Sequence, residues 1–184
     1  MTEASNGAAW TNPAPGERLA LLRRTRGVAM LGASPNPARA SNFVATYLLA
    51  STDYDVYFVN PNAKEILGRP VYPSLAELPV VPDLVDTFRR PADLPGVLDE
   101  VLAIDGIKAW WLQFGLWEPE LARRAEDAGL TVVMDRCLKI EHARFHGGLH
   151  LAGFNTGVIT SRRATVSPAR AEPGARSARA RGAR

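Results

Sequence analysis

Five short apolar runs, each followed by a helix-like stretch or a turn-forming cluster, constrain this 184-residue chain more than any other feature. The runs are Gly27–Leu31, Asp55–Val59, Asp83–Phe88, Ile107–Leu112 and Leu130–Met134. A half-exposed strand alternates apolar and polar residues, whereas a strand buried on both faces reads as a continuous apolar run. Between the runs, Asn42–Ala50, Pro95–Ala103 and Glu118–Ala128 carry helical spacing. Ser41 is placed to cap the first of these helices, and Pro119 and Gly129 to open and close the third. A shorter amphipathic helix around Leu19 and Leu22 ends near Gly27. Strands alternating with helices predict an α/β fold, a doubly wound parallel sheet of about five strands in a single domain.

Charge divides the chain unevenly. The net charge is +3, yet residues 162–184 hold seven Arg against one Glu, leaving fifteen basic and eighteen acidic side chains in residues 1–161. The basic balance therefore belongs to the tail, and a specific nucleic-acid function is not expected of the folded body. The tail is almost exclusively Ala, Arg, Ser, Pro and Gly, with one large apolar residue, Val166, a composition that predicts disorder. Residues 1–16 read as a flexible lead-in, 17–146 as the domain and 147–161 as a C-terminal extension. The single cysteine, Cys137, excludes an internal disulfide framework and suits a reducing cytoplasm. No run approaches a membrane span, so a soluble protein with no membrane partner is expected.

In an open α/β sheet, ligands bind outside the carboxyl ends of the strands, where the strand order reverses. The residues ending the strands are therefore the ones that matter. The first run gives way to Gly32-Ala33-Ser34-Pro35-Asn36-Pro37-Ala38-Arg39. Gly32 permits a sharp turn, the following helix turns its free N–H groups toward the same place, and Ser34 and Arg39 add a hydroxyl and a charge. Together they suit a phosphate, although a plain strand-to-helix turn would read similarly. The nicotinamide fingerprint needs three glycines, and Ser34 and Pro37 stand where its second and third would be. The second strand ends in Asn60-Pro61, where an acidic residue would hold a ribose. An NAD-type oxidoreductase is the competing reading, and both departures count against it. Lys64, Phe88-Arg89-Arg90 and Gln113 follow other strands. Four cations, Arg39, Lys64, Arg89 and Arg90, on one edge of an acidic body imply an anionic ligand.

Several segments in consistent order resemble a known family. They are Val28-Ala-Met-Leu-Gly-Ala-Ser-Pro-Asn-Pro37, Phe58-Val-Asn-Pro61, Ile66-Leu-Gly-Arg-Pro-Val-Tyr-Pro-Ser-Leu75, Asp86-Thr-Phe-Arg-Arg-Pro91, Trp111-Leu-Gln-Phe-Gly115 and Val133-Met-Asp-Arg-Cys-Leu-Lys-Ile-Glu-His142. Across roughly residues 20–145 the chain resembles the coenzyme A-binding proteins related to the nucleotide-binding domain of the succinyl-CoA synthetase α-subunit. The resemblance implies a Rossmann-like fold and CoA or acyl-CoA as ligand. It implies that Gly32, Ala33 and Ser34 hold the pyrophosphate, and that Lys64 faces the phosphates on the adenosine side. Phe88, Arg89 and Arg90 would flank adenine or pantetheine, and Gln113 would sit across the crevice. Synthetase subunits of that type also use a phosphorylatable His in a second domain and an ATP-grasp partner. Neither a second domain nor a P-loop is visible in this sequence, so a non-catalytic binding or sensing module is expected. A catalytic acyl-CoA-dependent protein acting with a partner is the other alternative.

The remaining reactive side chains read as structural. His142, His146 and His150 are spaced four apart, but Gly147-Gly148 interrupts any helix carrying all three, and no metal site is expected. Cys137 reads as a buried, inert thiol. Trp110 and Trp111 are adjacent on a strand and must face opposite sides of the sheet.

Overall fold

The computed structural model describes residues 9–147. The elements are α1 (Pro15–Arg24), β1 (Gly27–Leu31), α2 (Ala40–Ser51), β2 (Asp55–Val59), β3 (Glu65–Ile66), β4 (Arg69–Tyr72), β5 (Leu84–Thr87), α3 (Leu94–Leu102), β6 (Ala109–Leu112), α4 (Pro119–Asp127), β7 (Thr131–Val133) and α5 (Leu138–Phe145), with single 3₁₀ turns at Leu75–Glu77 and Pro91–Asp93. One seven-stranded sheet runs β3-β4-β2-β1-β5-β6-β7. Six strands are parallel, and β3 pairs antiparallel with β4. With β3 set aside, the parallel strands lie in the doubly wound order, and the order reverses between β1 and β5. The α/β, doubly wound, single-domain expectation holds.

The apolar runs become central strands because they are sealed from both sides. Val28, Ala29, Met30 and Leu31 are all buried, and their side chains point alternately into two cores. Ala29, Leu31, Val85, Trp110 and Leu112 pack with α3 and α4 on one face. Val28, Met30, Phe58, Leu84 and Trp111 pack with α1, α2 and α5 on the other. Trp110 and Trp111 divide between the cores as strand alternation requires. Each finds an acceptor for its indole N–H, Thr87 Oγ1 at 3.0 Å and the Arg136 carbonyl at 2.6 Å.

Three expectations change. The sheet has seven strands rather than about five because β3 and β4 carry no apolar run; Glu65 pairs with Pro70 and Ile66 with Arg69 across a tight hairpin. Its two loop residues, Leu67 and Gly68, have φ of 51° and 74°. Residues of positive φ make the hairpin turn matching strand twist, and a Leu there gives no sequence signal. Ser41 does not cap α2: Arg39 occupies that position, and Ser41 lies in the first helical turn. Residues 9–14 are not a loose lead-in. Trp10 is buried with its indole N–H on Glu126, and the Asn12 side chain pairs with both backbone polar groups of Met134 at 2.9 and 2.8 Å. Asn12 thus acts as one residue of an added strand alongside the end of β7. The extension beyond Gly147 and the Arg-rich tail lie outside the described residues, as does His150.

Candidate functional site

At the reversal of strand order the chain leaves β1 for α2 on one face and β5 for α3 on the other, and the diverging loops open a cleft. Gly32 begins this divergence with φ of 88°, in the left-handed region that favours glycine. A Cβ there would stand 2.3 Å from the Phe88 carbonyl oxygen. Gly32 is therefore required first by the close packing of the β1 and β5 loops, before any ligand is considered. The cleft holds about 440 Å³ and is lined by Gly32, Ser34, Arg39, Ala40, Ser41, Val44, Thr87, Phe88, Arg89, Gln113, Phe114, Leu116 and Cys137.

The loop after β1 is held in place by its own polar groups. Ser34 N–H donates to Ser41 Oγ at 3.1 Å, Asn42 Nδ2 donates to the Ser34 carbonyl at 3.2 Å, and Asn36 N–H donates to Ser34 Oγ at 3.2 Å. Behind it, Asn60 Nδ2 donates to the Ala33 carbonyl at 2.7 Å while Asn60 Oδ1 accepts from Asn62 N–H at 2.9 Å. Asn60 is committed to joining the β1 and β2 ends, which explains an amide where a ribose-binding fold would have a carboxylate.

The structure gathers Gly32, Ser34, Arg39, Phe88, Arg89 and Gln113 around one cleft. Ala33 is buried beneath it and Asn60 braces it. Pro61 and Lys64 lie beyond β2 and do not line it. Arg90 turns away: its guanidinium takes Asp93 through two hydrogen bonds of 3.1 and 2.9 Å. The expected group of four cations thus reduces to two at the cleft, Arg39 and Arg89, neither ion-paired among the described residues. The three-residue spacing of Arg90 and Asp93 is the sign in the sequence of that local pair.

Beneath the cleft lies a residue that opens the segment Asp86–Pro91 but to which neither the strand ends nor the resemblance assigns a role. Asp86 is fully buried on β5, in register with Met30 on β1 and Trp111 on β6. Gln113 Nε2 donates to its Oδ1 at 2.7 Å, and its Oδ2 has no partner among the described residues. Burial pushes the Asp86 carboxyl up to about 8, against the pull of the Gln113 hydrogen bond. A lone carboxylate inside Leu84-Val-Asp-Thr87, a run expected to be buried on both sides, is the one signal the sequence offers. Burial likewise pushes the Cys137 thiol up, with Asp86 adding to the effect. Both groups are therefore mainly neutral at pH 7, and neither is poised as a base or nucleophile.

The two described histidines, His142 and His146, are accounted for by packing. His142 is buried, with Nδ1 3.0 Å from the Tyr47 hydroxyl, and stacks on His146 at 4.0 Å between ring centroids. Among the described residues no three His, Cys, Asp or Glu side chains come together as a metal site, and no helix is long and apolar enough to cross a membrane.

Comparison with known proteins agrees with this geometry. The family model described as CoA binding domain matches residues 26–143. YneT of Bacillus subtilis is 36% identical over 132 residues, spanning 72% of this chain and 96% of its own. An ADP-forming acetate–CoA ligase of Archaeoglobus fulgidus is 32% identical over 120 residues, which are 60% of this chain but 17% of the ligase. A solved structure from Pyrococcus horikoshii superposes with a TM-score of 0.67 at 37% identity, covering 76% of this chain and 100% of that one. The matched segment runs from the start of β1 into α5 and contains every cleft-lining residue, so the chain belongs to the CoA-binding domain family.

Proposed function

We propose that this protein binds coenzyme A or an acyl-CoA in the cleft between the β1 and β5 loops, as a binding or sensing module without chemistry of its own. The observation that carries this reading is the pair of guanidinium groups, Arg39 and Arg89, that stand beside the Gly32–Ser34 loop without an ion pair among the described residues. Phosphate groups of a bound nucleotide would meet both charges, and the Ser34 hydroxyl would donate to the same anion. A hydrogen bond to a charged group is worth ~1.5–3 kcal/mol. Val44, Phe114 and Leu116 line the same cleft. They offer an apolar wall to an arm that is longer and less charged than a nicotinamide nucleotide.

Protonation speaks against chemistry at the cleft. The ionisable groups nearest its floor, Asp86 and Cys137, are held in their neutral forms by burial. A free thiol also suits a reducing cytoplasm. The competing nicotinamide reading is disfavoured by Asn60, whose amide is already spent on Ala33 and Asn62.

Calorimetric titration of the full chain with CoA, desulfo-CoA and NAD tests the reading. CoA and desulfo-CoA are expected to bind with similar affinity and NAD more weakly. NAD binding preferred by tenfold, ~1.4 kcal/mol, would overturn it.

A further inference from the structure

Among the described residues, two buried side-chain polar atoms lack a hydrogen-bond partner, Asp86 Oδ2 and Arg136 Nε. The first belongs to a fully buried carboxyl with one contact, the 2.7 Å hydrogen bond from Gln113 Nε2. Burying a carboxyl this deeply is costly unless it is fully hydrogen-bonded, so a strand interior otherwise made of Leu84 and Val85 gains no stability from it. What the carboxyl does is hold an amide. Gln113 is itself 8% exposed and lines the cleft. Its Nε2 is taken by Asp86, whereas its Oε1 accepts from no described residue and is not among the buried unpartnered atoms. Oε1 is therefore open, on the surface that Gln113 shares with Val44, Phe114 and Leu116.

We propose that Asp86 is a positioning residue: by taking Gln113 Nε2 it turns the Gln113 carbonyl into the cleft, where that carbonyl selects a ligand carrying an amide N–H. This rests on the CoA reading, because the pantetheine arm is the part of CoA that carries secondary amides. A freely rotating glutamine offers donor and acceptor equally; one anchored by its nitrogen offers an acceptor alone. The buried carboxyl thereby sharpens selection for the arm while leaving recognition of the phosphates to Arg39 and Arg89. Met30 and Trp111 flank Asp86 and carry no charge, and Cys137 is the ionisable neighbour from the helical side.

The test compares two probes, CoA and 3′-phospho-ADP, which is CoA without pantetheine, on full-length parent, Asp86→Ala, Asp86→Asn and Gln113→Leu. The parent is expected to bind CoA more tightly than the fragment. Asp86→Ala and Gln113→Leu are expected to lower CoA affinity about tenfold and to change fragment affinity less than twofold. Asp86→Asn keeps an oxygen that accepts from Gln113 Nε2, and it is expected to stay within threefold of the parent on both probes. Gln113→Leu alters a residue of the cleft lining and keeps the buried Asp86 side chain, although it removes that carboxyl's one hydrogen bond, so it reports even if Asp86→Ala fails to fold. Equal loss on both probes, no loss on CoA, or failure of Asp86→Asn to rescue would each overturn the positioning role. A parent that binds the fragment as tightly as CoA also overturns it and spares the CoA reading. A parent that binds neither probe refutes the CoA reading itself.

Discussion

Replacing Asp86 by asparagine is expected to make the fold more stable, and by an amount that grows with pH. The folded carboxyl titrates at about 8 against an ordinary value of 3.8. Between those values the native state keeps a proton that the unfolded chain has released, so raising the pH favours unfolding. Each pH unit in that window is worth ~1.4 kcal/mol, and the parent should lose about 2–3 kcal/mol between pH 5 and pH 7 through this group alone. His142 works in the opposite sense. Burial, with a smaller contribution from His146, holds its imidazole down at about 4, below the usual 6.5. The unfolded chain therefore takes up a proton first as the pH falls, and stability drops between 6.5 and 4. In the parent the two groups offset each other, and the pH profile is flatter than either would make it. The Asp86→Asn change preserves an acceptor for Gln113 and removes only the titration, and His142 is common to both proteins and cancels in their difference. Urea unfolding of parent and Asp86→Asn at pH 5, 6 and 7, extrapolated linearly with matching slopes, measures that difference directly. The gap should open in favour of Asp86→Asn by about 2–3 kcal/mol from pH 5 to pH 7. A gap that stays constant, or that closes with rising pH, would show that the carboxyl is already ionised in the fold.

Arg39→Ala and Arg89→Ala should each weaken CoA binding and reduce its dependence on salt, because each removes an ionic contact; titrations at two ionic strengths check this, and Lys64→Ala should have a smaller effect than either. Ser34→Ala should weaken CoA binding by roughly ten- to hundredfold if its hydroxyl meets a charged oxygen, and unchanged affinity would remove the hydroxyl from the site. Gly32→Ala should lower thermal stability even without ligand, by about 1–3 kcal/mol from backbone conformation alone and more from the contact with the Phe88 carbonyl; an unaltered melting temperature would contradict the packing described. Asn12→Ala should cost about 1–2 kcal/mol through its two lost hydrogen bonds to Met134, readable by denaturant unfolding.

The central strands are legible in the sequence because parallel strands buried on both sides leave an unbroken apolar record, as at Val28–Leu31. The cleft is legible through Gly32, since a glycine ending such a run announces a reversal of direction. What stays hidden depends on contacts between distant residues. The hairpin of β3 and β4 is specified by pairing rather than by composition. Trp10 and Asn12 look like part of a polar leader until α4 and β7 supply their partners, 116 and 122 residues away. Arg90 counts toward the ligand in sequence because charge near a strand end carries no direction there, although Asp93 stands within reach. Ser41 reads as a cap because hydroxyls cap helices often. Its partner is instead the Ser34 N–H, an arrangement that shapes the phosphate loop rather than the helix.

Everything proposed for the cleft depends on where CoA sits. A crystal structure of the full chain grown with CoA measures that position directly. Phosphate oxygens are expected within hydrogen-bond reach of the Gly32–Ser34 loop and of Arg39 or Arg89, with a pantetheine amide N–H on Gln113 Oε1. CoA bound elsewhere, such as in the separate hollow of about 430 Å³ beside Trp10, Trp117 and Arg136, would contradict the assignment.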